Sequence, residues 1–175
     1  MRYIHIGVAA HSSGSDPERA RRFVKVLPKD VRILLGGYWG LMKDVADAAR
    51  EKDLQVIFFL PHDPPEEVPS DEHFIKVDTG LDYKGRSVIL VRSSDVIAVL
   101  GGEAGTIIEA LMAYSYGKPV FILRGTGRTT DKLERVFLEA FDERKLAPVF
   151  YVDTPEELAE KILLWKGYYR EIKQS

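Results

Sequence analysis

The chain has 175 residues, 25 Lys+Arg against 27 Asp+Glu, 45% hydrophobic content and no cysteine. A net charge of -2 supplies no general pull toward nucleic acid or an anionic membrane, and the hydrophobic fraction excludes a disordered chain. Without cysteine there is no disulfide framework, thiolate metal site or cysteine nucleophile, and a cytoplasmic protein is the expectation.

The length predicts a single domain over residues 1–175. "MRYIHIGVAA" enters a strand pattern directly, without the pattern of a signal peptide. No apolar run approaches the roughly 20 residues of a membrane span. After this first strand comes the small polar turn "HSSGS", in which Ser12, Ser13 and Gly14 are placed to meet phosphate or sugar hydroxyls. Asp16-Pro17 opens a helix over residues 17–26, because a capping side chain precedes a proline suited to the first helical position. The strand "VRILL" leads to "GGYWG", where Gly36 and Gly37 allow close backbone approach, and then to a helix over residues 41–52.

"LQVIFFL" is followed by a Pro-, Asp- and Glu-rich stretch, residues 61–73, read as a solvated connection. The strand "HFIKV", a helix over residues 83–92 and the strand "DVIAVL" come next. "GGEAGT" then opens a helix over residues 106–116, with Gly101, Gly102, Gly105 and Thr106 as candidate phosphate contacts. "PVFIL" leads into "RGTGRTTDKL", a phosphate-friendly turn whose Asp131 also suits the cap of a helix over residues 131–144. The strand "APVFYV" and a helix over residues 155–172, capped by Thr154, finish the chain.

Continuous Val/Ile/Leu runs alternating with helices predict a parallel sheet covered on both faces. The expected class is α/β: a three-layer Rossmann-like fold with a mostly parallel central sheet of about seven strands. Ligands of such sheets bind beyond the carboxyl ends of the strands, where the three glycine- and serine-rich turns fall. The G-x-G-x-x-G and P-loop fingerprints are absent, so neither a standard dinucleotide dehydrogenase nor a P-loop NTPase is expected. The four histidines lack metal-ligand spacing, and no metal or cofactor is predicted.

"TIIE" has the form of a capping box, in which Thr106 and Glu109 satisfy free amides at a helix start. A carboxylate in a first turn is stabilised by the helix dipole, so Glu109 is expected to stay ionised and to serve as a base or a negative charge beside a cationic centre. Arg86 reads either as a surface arginine or as a planar fork offered to a phosphate or purine edge. The helix "TIIEALMAYSYGK" is apolar around most of its circumference, which favours a homodimer.

The combination "GGYWGLMKDVADAA", "GRSVILVRSSDVIAVLGG" and "GTIIEA" resembles the LOG-like (Lonely Guy) family over roughly residues 1–125. That family, once labelled lysine decarboxylases, sits in a wider superfamily of Rossmann-like nucleotide binders. The resemblance implies phosphoribohydrolase activity: water cleaves the N-glycosidic bond of a purine nucleoside 5'-monophosphate, giving base and ribose 5-phosphate. It carries catalytic roles to Arg86 and Glu109, and phosphate binding to the glycine turn before Thr106. This chain departs from the family's P-G-G-x-G-T-x-x-E pattern at Gly101 and Glu103, and has Ser87 where lysine is usual. The "GGEAGT" form looks more like a branch that includes a molybdenum-cofactor carrier protein. A non-catalytic carrier or sensor of a phosphorylated ligand is therefore the alternative.

Overall fold

A computed structural model describes residues 3–167. Seven strands, β1 (Ile4–Ala9), β2 (Val31–Leu35), β3 (Gln55–Leu60), β4 (Phe74–Asp78), β5 (Val96–Val99), β6 (Val120–Leu123) and β7 (Val149–Val152), form one sheet in the order β4-β3-β2-β1-β5-β6-β7. Every pairing is parallel. The fold is therefore α/β and Rossmann-like, with a wholly parallel sheet.

Alternation along each strand explains why both faces must be covered. In β5, Val96 and Ala98 join the core beneath α1 (Pro17–Val24), α2 (Gly40–Glu51) and α5 (Pro155–Trp165). Ile97 and Val99 point the other way, into a core with α3 (Tyr83–Ser93) and α4 (Ala104–Ser115). β6 divides the same way, Phe121 and Leu123 against Val120 and Ile122. Each fully buried Val, Leu, Ile or Phe contributes roughly 1.5–3 kcal/mol, so the two-sided pattern fixes the register strongly.

Two helix starts follow from local chemistry. The Asp16 carboxylate accepts the Arg19 N–H at 3.0 Å, and the Thr154 hydroxyl accepts that of Glu157 at 3.1 Å. The helix expected over residues 131–144 is absent: a 3-10 helix, Thr129–Arg135, gives way to turns. Asp131 folds back to accept the N–H groups of Thr126 and Gly127 at 3.1 and 2.8 Å, closing the preceding turn. Farther on, Lys145 has φ 49°, a left-handed conformation no helix continues through. The last helix ends at Trp165, and the part of its expected span beyond residue 167 lies outside the described residues.

Winding reverses between β1 and β5. The chain travels outward from β1 to β4, returns to pair β5 with β1, and travels outward again to β7. The turns after β1 and β5 are thus neighbours, and the His11 N–H donates to the Gly101 carbonyl at 2.9 Å. Gly40, at φ 49°, closes the third side. A Cβ there would lie 2.6 Å from the Ser12 carbonyl carbon, so only glycine lets α2 start against this turn.

Candidate functional site

A cavity of about 490 Å³ opens at this reversal point. Ser12, Ser13, Gly105, Thr106, Arg86 and Glu109 all line it, so these expected site residues, drawn from three separate stretches, meet on one wall. Sequence reasoning passed over His11, Met42, Tyr83, Lys84, Ile108 and Met112, which line it together with Ala10, Ser87 and Glu103. Met112 carried a legible signal, since three residues on a helix return it to the face of Glu109.

The pair at the deep end is tightly built. Arg86 Nη1 lies 3.3 Å from Glu109 Oε1, and the side chains are only 11% and 13% exposed. The Ser87 hydroxyl donates to the same carboxylate oxygen at 2.9 Å. Burial pushes the Glu109 carboxyl above its ordinary range, opposed by the Arg86 charge and the Ser87 hydrogen bond. This corrects two expectations: burial outweighs the helix dipole expected to keep Glu109 ionised, and Glu109 closes no capping box. α4 begins at Ala104 with Glu103 as N-cap, no side chain caps it, and Glu109 sits in the second turn, facing α3.

Several expected glycine contacts serve the protein itself. A Cβ on Gly36 would fall 1.7 Å from Arg86 Nη1, so the space above this glycine holds the guanidinium rather than a ligand. The Glu66 carboxylate fills the corresponding space at Gly37. The Gly102 N–H donates to Thr130 Oγ1 at 3.1 Å, and its carbonyl accepts the Thr130 N–H at 3.1 Å. Gly101, at φ 106°, packs against Thr126. Gly14 lies beside Arg128. Of the expected glycines, only Gly105 presents its open side to the cavity, with nothing within 4 Å of a Cβ placed there.

At the outer end the Ser15 hydroxyl donates to the buried Asp44 carboxylate at 2.9 Å, and the Asp16 N–H reaches it at 2.6 Å, fixing the serine turn to α2. Glu103 turns aside from α4. Its Oε2 accepts the hydroxyl of Thr129, and the Thr129 N–H at 3.3 Å. Those hydrogen bonds hold its carboxyl below the usual range. Burial, followed by the charge of Arg128, lowers the pKa of the His11 imidazole.

Residues 4–159 match the SLOG cluster4 family. The chain belongs to the SLOG cluster4 family. As a SLOG cluster4 protein it falls within the LOG-like superfamily that its motifs resemble. It is 31% identical over 128 residues to an uncharacterized protein of Archaeoglobus fulgidus, covering 71% of this chain and 82% of that protein. The X-ray structure of TM1055 is 32% identical, with a TM-score of 0.77 over 91% of this chain and 98% of that one. A molybdenum cofactor binding protein from Rippkaea orientalis is 25% identical, with a TM-score of 0.73 over 93% of this SLOG cluster4 chain and 96% of its own. No helix among the described residues is long and apolar enough to cross a membrane.

Proposed function

We propose that this SLOG cluster4 protein binds a phosphorylated, nucleotide-type ligand and that Arg86 and Glu109 cleave the N-glycosidic bond of a purine nucleoside 5'-monophosphate. The observation that carries this reading is the single cavity that joins the first turn of α4 to the Arg86–Glu109 pair. Its volume is in the range of roughly 300–1,000 Å³ that suits a small ligand. The phosphate rests against the first-turn backbone of α4 and the hydroxyls of Ser12 and Ser13, where helix amides and dipole favour an anion. The heterocycle lies against Tyr83, Met42, Ile108 and Met112.

In the reaction, ionised Glu109 takes a proton from the water that adds to C1' of the ribose. The C1'–N bond breaks, its electron pair leaves with the purine, and that nitrogen takes up the proton. The products are ribose 5-phosphate and the free base. Arg86, seated over Gly36, orients the carboxylate and balances its charge. A carboxyl with raised proton affinity suits this exchange, because proton transfer is most efficient when the pKa approaches the working pH.

The Rippkaea neighbour, named as binding molybdenum cofactor, favours a second reading in which the same cavity carries a phosphorylated ligand without cleaving it. Incubation with AMP and other nucleoside monophosphates separates the two. Release of base and ribose 5-phosphate by the native protein, and not by Glu109→Ala, supports hydrolysis. Thermal stabilisation by nucleotides or molybdopterin without release supports the carrier, and neither effect overturns both. A homodimer is part of the proposal, supported by the exposed Leu111 on α4, Tyr116 at its C-cap and Ile89 on α3.

A further inference from the structure

The turn after β6 sends one side chain, Arg128, behind two residues of the cavity wall, itself outside the lining. Arg128 Nη2 donates to the Ser13 carbonyl at 3.1 Å, and Nη1 lies 3.7 Å from Glu103 Oε1. Ser13 and Glu103 both line the cavity, and Arg128 touches each of them. A Cβ on Gly14 would stand 3.4 Å from Nη2, so the guanidinium comes up against the serine turn itself. His11, only 6% exposed, lines the same cavity, and its Nδ1 has no hydrogen-bond partner among the described residues. A buried polar atom left unpaired costs roughly 1–3 kcal/mol, a cost that a ligand's acceptor or donor relieves.

We propose that Arg128 is the specificity-determining residue through which the cavity distinguishes a phosphorylated ligand from its dephosphorylated counterpart, with Glu103 as its exchangeable counter-charge. The inference rests on the ligand-binding reading above. A guanidinium has five N–H donors. The distance to Glu103 is too long for a hydrogen bond and marks a loose ion pair. A phosphate monoester carries close to two negative charges and three acceptor oxygens, so it competes well for those donors. Glu103 can yield without disturbing the loop, because its two oxygens have different partners: Oε2 holds Thr129, while Oε1 faces Arg128. The carboxylate that departs from the family's glycine pattern is therefore held in the cavity wall, where it neutralises the arginine and is displaced from it by a stronger anion.

The test is isothermal titration of the full chain with AMP and adenosine, which differ only in the phosphate. The native protein is expected to prefer AMP. Arg128→Gln should cut AMP affinity by about tenfold or more and leave adenosine binding unchanged, while Arg128→Lys retains part of the preference. Glu103→Gln should raise AMP affinity by a few-fold without changing adenosine binding. An AMP-to-adenosine ratio that is the same in native protein and Arg128→Gln overturns the inference and leaves the cavity reading standing. If the native protein binds neither, both fall. Should Arg128→Gln fail to fold, Glu103→Gln decides: an unchanged AMP preference overturns the proposal.

Discussion

Two glutamates six residues apart, one at the N-cap of α4 and one within it, live in opposite conditions. Glu103, at the N-cap, has a side chain 52% exposed and is held by a threonine and an arginine from the next turn. Glu109 is 13% exposed, faces α3 and meets Arg86 and Ser87. Hydrogen bonding lowers the proton affinity of the first and desolvation raises that of the second. The helix dipole, which favours both anions near its start, does not decide the outcome; burial does. The outer acid is thus suited to neutralising a cation, and the inner one to exchanging a proton.

The strongest way to break this contrast is to remove the seat of Arg86. Gly36→Ala places a Cβ 1.7 Å from Nη1 and must expel the guanidinium, leaving Glu109 enclosed without its cation. An isolated buried carboxylate takes up a proton rather than stay charged, so urea unfolding should show a loss of at most about 3 kcal/mol, growing as pH rises, together with loss of AMP binding. Gly105→Ala is the matched control, since a Cβ there meets nothing within 4 Å. It should preserve stability, because alanine is the better helix former, while obstructing the ligand. If both variants unfold at the same urea concentration, Gly36 does not serve as the seat.

This result bears on what a sequence can disclose. The strands were legible because apolar runs such as "DVIAVL" have only one way to satisfy two covered faces. Their parallel order followed from the helices between them. The convergence of the serine turn and the "GGEAGT" turn followed from where ligands gather in such sheets, and that of Arg86 from the family resemblance, although which glycines open onto the cavity did not follow. Gly36 and Arg86 are fifty residues apart, and no local pattern states that one makes room for the other. The "TIIE" pattern failed for a different reason. The helix gains its first turn from Ala104, so the carboxylate lies one turn too deep to cap it. Residues 131–144 misled because Asp131 and Asp142 satisfy backbone N–H groups locally, Asp142 accepting that of Arg144 at 3.0 Å, and a turn competes with a helix for the same groups.

A smaller effect separates the two acids by pH. Glu109 has a folded pKa above its ordinary 4.5, so the fold favours its protonated form. Its contribution to stability is complete below the unfolded value and is lost as pH rises through the folded one, at roughly 1.4 kcal/mol for each pH unit between them. Urea unfolding of native protein and Glu109→Gln across pH 4 to about 8 measures it. The stability of the native protein relative to the variant should fall as pH rises through this window.

Glu103 should show the reverse slope at lower amplitude. Its folded pKa lies below the ordinary 4.5, so its contribution is present above the unfolded value and lost as pH falls through the folded one. Exposure to solvent weakens the interactions responsible, and the melting temperatures of native protein and Glu103→Gln should nearly coincide at neutral pH. Below the ordinary carboxylate range the small difference should vanish or change sign, even as the Glu109 contribution becomes complete. Slopes of the same sign for both variants would mean that position along α4, rather than desolvation at one end of the cavity, governs these two acids.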